Sequence, residues 1–510
     1  MGDRSGGAGY EAAIGLEIHV QLKTATKMFC GDAAEFGAPP NTHVCPVCLG
    51  LPGALPVVNA AAVELAVRAA LALGCTVHET SAFARKNYFY PDLPKGYQIT
   101  QHERPLATGG MLSSSSSGSN GDPGSGVVSN RSSDAGDSGD SGEWAVVRIR
   151  RVHVEEDAGR LLHDRFPGRT AVDLNRAGVP LVEIVTEPDL RSPEQARGFL
   201  AALKRLLEYL EVSDCDMETG SLRVDANLSV RPAGEAGLGT RTEVKNLNSF
   251  ANVERALRRE AERQAGLLEA GEAVVQETRL WDADAGETRP MRSKEQLHDY
   301  RYFPEPDLPP LVLDIDRVQA IRAGLPELPH QREARLVDEL GIPEYDAGVL
   351  TASRAVADYF EALAQAAGDP KAASNWIMGD VMAWLNQEDA GIDAFPIAPD
   401  RLAGLVRLAA DGTVSSTAAR DVFNRMLTDD RSAAEIVELE GLAQVHDATR
   451  LEAWVDEAMA AHPEEADRLR AGEMKLVGFL VGAVMRASAG RADPEQVQAM
   501  LRARAGHQAP

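Results

Sequence analysis

The chain has 510 residues, 44% of them hydrophobic and 25% charged, and its formal net charge is −25. This length exceeds one ordinary hydrophobic core and predicts two to four globular domains. The polar, Gly-rich N-terminus does not have the basic and then apolar pattern that is expected of a secretory signal peptide, and no apolar run approaches the length of a membrane span. Five cysteines are too few for a disulfide framework, so we expect a cytoplasmic protein.

The charge argues against a general nucleic-acid binder, because such proteins are normally basic. The C-terminal segment is an exception. From Arg468 onward, seven Lys and Arg residues outnumber three Asp and Glu residues. This count leaves two interpretations open, which are a local basic surface for RNA and a solvated helix face.

The first predicted element is a strand over Ile14–Val20. Its hydrophobic residues alternate with Gly15, Glu17 and His19, the period of two that is typical of a half-buried strand. Glu17 and His19 are two residues apart and therefore share the polar face.

A possible metal motif follows this strand. Cys45 and Cys48 are separated by two residues, a spacing that lets two thiolates bind one tetrahedral zinc ion, and Cys30 is a candidate third ligand. Asp32 and His43 are the candidates for the fourth position. The alternative is a loop with three reduced cysteines and no metal.

Two contrasting segments come next. Lys86–Gln98 combines aromatic residues, lysines and turn residues, which suits a loop that binds a nucleotide or a terminal base; a proline turn packed by aromatic residues is the alternative. Residues 107–143 are rich in Ser, Gly and Asp and have few large apolar side chains. Such a segment cannot bury enough surface to offset its ordering entropy, so a disordered insertion between two strands is predicted.

A strand over Ala145–Val154 then leads into the acidic run Glu155–Asp157. The next element is a helix. Ser192 is its predicted N-cap, Pro193 its first residue, and Gln195 completes a capping box.

Two further strands carry acids beside bases on their polar faces. They place Arg223 near Asp225, and Glu243 near Lys245. Carboxylates together with one imidazole suit Mg²⁺ or Mn²⁺, which keep bound waters for a phosphorylated substrate. A single such carboxylate is more typical of a solvated surface. A polar face that extends over two strands is less easily explained in this way, because we expect such a face to contact a ligand or another part of the molecule. The two predicted strands are Leu222–Val230 and Thr240–Leu247.

Helical patterns dominate the rest of the chain. A helix is predicted over Phe250–Ala270, and short helices joined by turns over Ala398–Met426 and Met474–Arg504, with a domain boundary in the proline cluster 304–310. The Gly-rich phosphate loops and the His-Glu-x-x-His zinc motif are absent from the sequence. If the protein uses ATP, it therefore does so through an unusual fold.

The sequence closely resembles the B subunits of bacterial tRNA-dependent amidotransferases along nearly the whole chain. Long matching segments in the same order carry the resemblance: Ile14–Val20, Cys45–Gly53, Lys86–Gln98, His153–Gly159, Gly220–Asn227, Glu243–Ser249 and His298–Pro310.

The resemblance implies an α+β fold. A catalytic cradle domain with a mainly antiparallel sheet would occupy residues 1–311, a helical domain 312–436, and a small all-α, YqeY-like tRNA-binding tail 437–510. It also implies a heterotrimer with an amidase, the A subunit, which hydrolyses glutamine and supplies ammonia through a channel, and with a small C subunit. In this chain ATP would phosphorylate the side-chain carboxylate of Glu-tRNA(Gln) or Asp-tRNA(Asn), and ammonia would displace phosphate.

The resemblance assigns catalysis and Mg²⁺ binding to five residues: Glu17, His19, Glu156, Asp225 and Glu243. We infer that three basic residues offset charge on ATP or the acyl phosphate: Lys86, Arg223 and Lys245. The cysteine loop departs from the family, whose members usually carry Cys-x-Cys before the Cys-x-x-Cys pair, whereas Asp32 stands here. The possible zinc ligands are therefore Cys30, Cys45 and Cys48 with Asp32, or with His43 instead.

A hypothesis of another class is a non-catalytic tRNA scaffold whose partner does all the chemistry. The acidic strand face favours the enzyme, because a scaffold needs no metal site. The choice between glutamate and aspartate as substrate stays open at this point.

Overall fold

The computed structural model describes residues 9–115, 144–291, 300–445, 447–488 and 490–505. The chain divides into two compact units, Met1–Ala334 and Arg335–Pro510. The predicted α+β class, with a mainly antiparallel sheet region followed by a helical region, is confirmed. The limits of the three predicted domains stay a prediction.

The first unit contains all the described strands and three long helices. The strands are β1 (Tyr10–Gln21), β2 (Thr76–Val77), β3 (Thr80–Ser81), β4 (Ala84–Asn87), β5 (Tyr97–Thr100), β6 (Ala107–Thr108), β7 (Met111–Ser115), β8 (Trp144–Glu156), β9 (Arg160–Phe166), β10 (Arg169–Asp173), β11 (Pro180–Thr186), β12 (Leu222–Pro232), β13 (Thr242–Leu247), β14 (Thr278–Asp282), β15 (Glu287–Pro290), β16 (Phe303–Pro304) and β17 (Leu311–Val312). The helices are α1 (Ala60–Ala72), α2 (Pro193–Tyr209), α3 (Phe250–Glu269) and the short α4 (Ile315–Ala323).

Ten strands form one sheet with the path β15-β14-β13-β12-β1-β11-β8-β6-β2, and β7 pairs with β8. The described pairs in this sheet are antiparallel except β13 with β14. β1 lies between β11 and β12. Its inward residues, such as Ile14 and Ile18, are fully buried and share one hydrophobic cluster with α1, α2 and α3. Because the helices cover that face, the polar residues of β1 lie on the opposite, open face.

Two local predictions need correction. Ser192 caps α2 by accepting from the backbone N–H of Gln195 at 3.2 Å, but the Gln195 side chain accepts from Arg191 N, so the predicted capping box is not closed. The predicted insertion begins too early, because residues 107–115 form β6 and β7, which pair with β8. Backbone hydrogen bonds build this ladder, and a Ser-rich composition does not prevent them. Residues 116–143 lie outside the described residues.

The second unit is helical. Its described helices are α5 (Pro329–Leu340), in which the boundary between the units falls, α6 (Glu344–Leu350), α7 (Arg354–Ala367), α8 (Pro370–Trp376), α9 (Met382–Glu388), α10 (Pro399–Ala410), α11 (Ser416–Met426), α12 (Ala433–Glu440), α13 (Ala448–Ala461), α14 (Pro463–Arg470), α15 (Leu476–Ala487) and α16 (Pro494–Arg504). A π-helical turn, Ile377–Val381, joins α8 to α9. Separate hydrophobic clusters lie within 336–437 and 451–505. In the described part of the chain, no helix combines the length and apolar character needed to cross a membrane.

Candidate active site

Strand register aligns four polar residues across the open face of the sheet. His153 on β8 pairs with Glu183 on β11, Glu183 with His19 on β1, and His19 with Arg223 on β12. Residues opposite one another in register point to the same face of a sheet. These four residues therefore form one continuous polar row.

A second row lies two residues along the strands. It contains Arg151 on β8, Val185 on β11, Glu17 on β1 and Asp225 on β12. Glu243 on β13 extends the acidic face, because its register partner is Asn227 of β12, and the Asn227 amide donates to Glu17 Oε1 at 3.0 Å. The structure thus places four of the predicted residues on one face of three adjacent strands: Glu17, His19, Asp225 and Glu243.

The closest cluster on this face joins two imidazoles and two carboxylates. His19 Nε2 lies 3.3 Å from Glu183 and 3.5 Å from Glu155. His153 Nε2 lies 3.0 Å from the same Glu183 oxygen, and Thr100 Oγ1 donates to Glu155 at 2.9 Å. His19, Glu155 and Glu183 each offer one ligand atom, and these atoms lie within 4.8 Å of one another.

Burial and charge act in opposite directions in this cluster. Burial on its own lowers the pKa of both imidazoles, but the charges and hydrogen bonds of Glu183 and Glu155 together outweigh it and raise the pKa of His19 and, to about 9, that of His153. Burial on its own raises the pKa of Glu183, yet the charges of His153 and His19 hold it well below its usual range. Glu155 and Glu183 are therefore ionised at neutral pH as partners of the two imidazoles.

Lys245 forms ion pairs with two further acids of this face, Asp225 and Glu243. Its Nζ lies 2.6 Å from Asp225 Oδ2 and 3.1 Å from Glu243 Oε1, and Thr278 Oγ1 donates to Glu243 at 2.8 Å. Burial raises the pKa of Glu17, and the neighbouring carboxylates raise it further. The raised pKa of Glu17 shows that several carboxylates lie close together on this face.

The structure does not bring Glu156 to His19. Its carboxylate pairs with Lys95 and accepts from the backbone N–H of Ile99 at 2.9 Å. It lines a separate cavity of about 190 Å³ next to the cysteine loop. Successive residues of a strand face opposite sides, so Glu155 is the residue that faces His19.

The basic residues predicted to bind ATP have different surroundings. Arg223 pairs with Asp157 at 2.9 Å, and Lys245 is already in its two ion pairs. Lys86 Nζ lies 5.0 Å from the Tyr300 ring centroid. Burial on its own lowers the pKa of Lys86, but the charge of Glu155 contributes to a net increase.

The loop predicted to bind a base joins β4 to β5. Tyr88 and Tyr90 stack with ring centroids 4.9 Å apart, while Phe89 is 73% exposed. Two of the aromatic residues therefore pack against each other, and Phe89 is presented to solvent.

Sequence reasoning missed Glu183 and His153 and chose Glu156 over Glu155. Glu183 is the only charged residue of β11, and every residue of that strand is buried. A buried charge requires a partner, so a lone acid in an apolar strand is the signal that identifies it.

The cysteine loop forms a second cluster. One ligand atom from each of four residues lies within 4.8 Å of the others: Cys30, Asp32, Cys45 and Cys48. Cys48 Sγ lies 3.3 Å from Asp32 Oδ2, and its pKa falls to about 6, chiefly through the hydrogen bond with Cys30 and also through the charge of Lys27. His43 is not part of the cluster, and its backbone carbonyl accepts from the buried Lys27 at 2.7 Å. The structure therefore places Asp32 at the fourth position, and the donor set is consistent with zinc.

Comparison with known proteins identifies the family. Residues 12–319 match the model of the GatB/GatE catalytic domain, and residues 358–504 match the GatB domain. The chain is 50% identical to the B subunit of the aspartyl/glutamyl-tRNA(Asn/Gln) amidotransferase of Chlorobium luteolum over 492 residues, which is 96% of this chain and 98% of the relative. It is also 50% identical to the B subunit of the same amidotransferase from Moorella thermoacetica over 497 residues, or 97% and 99% of the two chains. The chain therefore belongs to the family of aspartyl/glutamyl-tRNA(Asn/Gln) amidotransferase B subunits.

Proposed function

We propose that this chain activates the side-chain carboxylate of Glu-tRNA(Gln) or Asp-tRNA(Asn) with ATP and then amidates it. The observation that carries the proposal is the cluster of His19, Glu155 and Glu183 on an acidic sheet face. Its position inside the segment that matches a catalytic domain supports a chemical role. Ammonia would come from a glutaminase, the A subunit, and a small C subunit would complete a heterotrimer.

The cluster fits a divalent cation. Two carboxylates and one imidazole are a donor set suited to Mg²⁺ or Mn²⁺, and His153 holds Glu183 in place from the side, as outer hydrogen-bond partners do around metal ligands. We propose Glu155 as the ligand from β8, because Glu156 is held by Lys95. Glu17, Asp225 and Glu243 lie farther along the same face and extend the site. A bound Mg²⁺ ion would neutralise charge on the transferred phosphoryl group.

The proposed reaction has two steps, phosphorylation of the carboxylate and displacement of phosphate by ammonia. A side-chain carboxylate oxygen attacks the γ-phosphorus of ATP, the bond to ADP breaks, and an acyl phosphate forms. Ammonia then attacks the carbonyl carbon, phosphate leaves with the former carboxylate oxygen, and the nitrogen loses a proton. Cations at Lys86, Arg223 and Lys245 would offset the charge of the phosphates.

A test uses the complex reconstituted with the A and C subunits and measures ATP hydrolysis that depends on misacylated tRNA. We expect His19→Asn and Glu183→Gln to lower turnover by about 100-fold or more, since they remove groups that stabilise charge in the reaction. Glu262→Gln, an exposed acid on α3, is the matched control and should retain full turnover. Asp225→Asn and Glu243→Gln test the extended site.

Unchanged turnover in all four active-face variants would leave the scaffold hypothesis standing. Transamidation assays with each misacylated tRNA would determine whether glutamate, aspartate or both are substrates. Circular dichroism of each variant distinguishes a loss of catalytic activity from misfolding.

We also propose that Cys30, Asp32, Cys45 and Cys48 bind a structural zinc ion. Three thiolates and one carboxylate can form a closed tetrahedral set. Metal analysis of the purified chain should find about one zinc per chain, and Cys48→Ser should lose it. A wild-type chain without zinc would refute this site.

The C-terminal helices are proposed to contact tRNA. Three exposed cations, Lys475, Arg486 and Arg502, make no hydrogen bond or ion pair with any residue that the structure describes, whereas Arg468 pairs with Glu473 at 2.9 Å. Free cations can neutralise phosphates and release counterions. The triple alanine variant should weaken tRNA binding and reduce its salt dependence; unchanged affinity would contradict the proposal.

A further inference from the structure

A stacked pair of aromatic rings lies at the edge of the proposed reaction centre. The rings of His102 and Tyr302 are nearly parallel, with an interplanar angle of 16° and centroids 4.1 Å apart. His102 is exposed, and Tyr302 is 36% exposed. Within the described ranges, the imidazole of His102 forms no hydrogen bond or ion pair. Its outer face is therefore available to a further planar ring.

The segment that carries His102 is anchored beside the carboxylate cluster. Thr100 Oγ1 donates to Glu155 at 2.9 Å. The next residue, Gln101, is 2% exposed, and its side-chain oxygen accepts from the backbone N–H of Val154 at 3.1 Å. Both contacts are with β8, at Glu155 and at the residue before it. The backbone of His102 is therefore fixed one residue beyond these contacts.

Tyr302 is held in place separately. The Asn87 side chain donates to the carbonyl oxygens of Tyr300 and Arg301 at 2.7 and 2.8 Å. Arg301 has a φ of +42°, a left-handed conformation that side chains other than glycine rarely adopt and that the surrounding contacts must stabilise. The two hydrogen bonds from Asn87 supply such contacts and fix the backbone just before Tyr302.

Lys86 lies between these aromatic rings and the carboxylate cluster. Its Nζ is 5.0 Å from the ring centroid of Tyr300. Burial raises the pKa of Tyr302; the charge of Lys86 opposes this increase, and the charges of Glu155 and Glu183 add to it. Because such charge effects decline with distance, Tyr302 lies close to the two carboxylates.

The order of the strands indicates which substrate reaches the stacked rings. In phosphoryl transfer the attacking and the leaving oxygen lie roughly in line, on opposite sides of phosphorus. Arg223 and Lys245, which we propose for the phosphates of ATP, belong to β12 and β13, on one side of β1. The segment of His102 contacts β8, on the other side of β1. The attacking carboxylate, and with it the aminoacyl ester, should therefore arrive from the side of His102.

We propose that the unpaired terminal adenosine of the misacylated tRNA stacks on His102, with its aminoacyl group directed towards Lys86 and Glu155. Single-stranded RNA ends are commonly bound by stacking of their bases on aromatic side chains, histidine included. The amino acid is esterified to the ribose of this nucleotide, so a stacked base leaves the side-chain carboxylate only a short chain of bonds from the cluster. This inference rests on the proposed function, since it assigns the place of the tRNA end in that reaction.

The test compares two probes, deacylated substrate tRNA and the same tRNA without its terminal adenosine, in filter binding to the reconstituted complex. Removal of the adenosine should weaken binding to the wild type by about tenfold, the effect of one base stacked on an aromatic ring. His102→Ala should weaken binding of the intact tRNA by about tenfold, and that of the shortened tRNA by less than about twofold. A purely structural role of His102 would not produce this coupling between residue and nucleotide.

Kinetics of the same complex provide a second readout. His102→Ala should raise KM for misacylated tRNA by about tenfold and KM for ATP by less than about twofold. His102→Phe keeps an aromatic ring and should bind intact tRNA within about twofold of the wild type. Tyr345→Ala is the matched control, because it removes an aromatic ring that is 68% exposed on α6, and it should change neither KM.

Four results would overturn the inference while the proposed function stands. His102→Ala could leave binding of intact tRNA unchanged, or weaken binding of both tRNAs equally, in which case the ring contacts another part of the RNA. A rise in KM for ATP instead would place the base of ATP on His102. Loss of co-elution with the A subunit would identify the rings as a contact with protein. A wild-type complex without tRNA-dependent ATP hydrolysis would overturn the proposed function itself.

Discussion

Glu260→Ala is expected to destabilise the first unit, because Glu260 is the centre of a buried polar network behind the active face. Its side chain is fully buried and accepts from Arg263, Thr242 and Thr288 at 2.6–2.9 Å. Arg279, itself 7% exposed, lies 3.3 Å from it. The substitution would leave these donors without their acceptor, and it would loosen β13, which carries Glu243 and Lys245 on its other face.

Removing one partner of a buried ion pair typically costs about 3–5 kcal/mol. Arg279 keeps its contact with the half-buried Glu277, so the lower value, about 3 kcal/mol, applies. An unfolding entropy of about 2.1 cal/mol/K per residue over the unit Met1–Ala334 then gives a decrease in Tm of about 4 °C.

Differential scanning calorimetry measures this decrease. Glu262→Ala is the matched control, since Glu262 lies on the same helix in an exposed pair with Arg259, and we expect its Tm to fall by less than about 1 °C. Equal Tm values for the two variants would refute the reasoning.

The same network gives a pH dependence. Burial on its own raises the pKa of Glu260, but hydrogen bonds, led by that from Arg263, hold it below its ordinary value of 4.5. A group with a depressed pKa stabilises the fold above its unfolded pKa, and this contribution is lost as the pH falls through the folded pKa. The difference in Tm between wild type and Glu260→Gln should therefore be constant from pH 7 to about pH 5 and shrink in more acidic solution. A difference that grows on acidification would contradict this sign.

Two further predictions concern buried groups. Lys95→Met should cost roughly 3–5 kcal/mol, because Glu156 is 2% exposed and would lose its cation; an unchanged Tm would show that the pair adds no net stability. Burial raises the pKa of the Cys75 and Cys215 thiols to about 12, so both should stay unmodified by Ellman's reagent in the native protein at pH 8. Modification of either thiol before unfolding would contradict its burial.

Alternation of apolar and polar residues was sufficient to predict the open face of the sheet. In β1 and β12 the apolar residues meet the helices, so Glu17, His19 and Asp225 necessarily share the other face. The same rule could have shown which acid of β8 faces His19. Val154 is buried in the core, which sends Glu155 to the open face and Glu156 away from it.

Long-range register was not accessible from the sequence. Glu183 meets His19 and His153 because β11 lies between β1 and β8, and no local pattern specifies that order. The β-bulge at Arg150 of β8 could not be predicted from the sequence either, because it depends on how β8 pairs with β11. The sequence also could not decide between Asp32 and His43 as the fourth residue of the cysteine cluster, since both lie within a few residues of the cysteines. The structure places Asp32 there.

Transfer of ¹⁸O from the substrate carboxylate to inorganic phosphate tests the central claim most directly. Misacylated tRNA is charged with glutamate or aspartate that carries ¹⁸O in its side-chain carboxylate, and the phosphate released by the reconstituted complex is analysed by mass spectrometry. If the carboxylate is phosphorylated, one ¹⁸O atom should appear in phosphate for each amide formed, and Glu183→Gln should suppress both products together. Amide formation with unlabelled phosphate would contradict activation of the carboxylate by ATP.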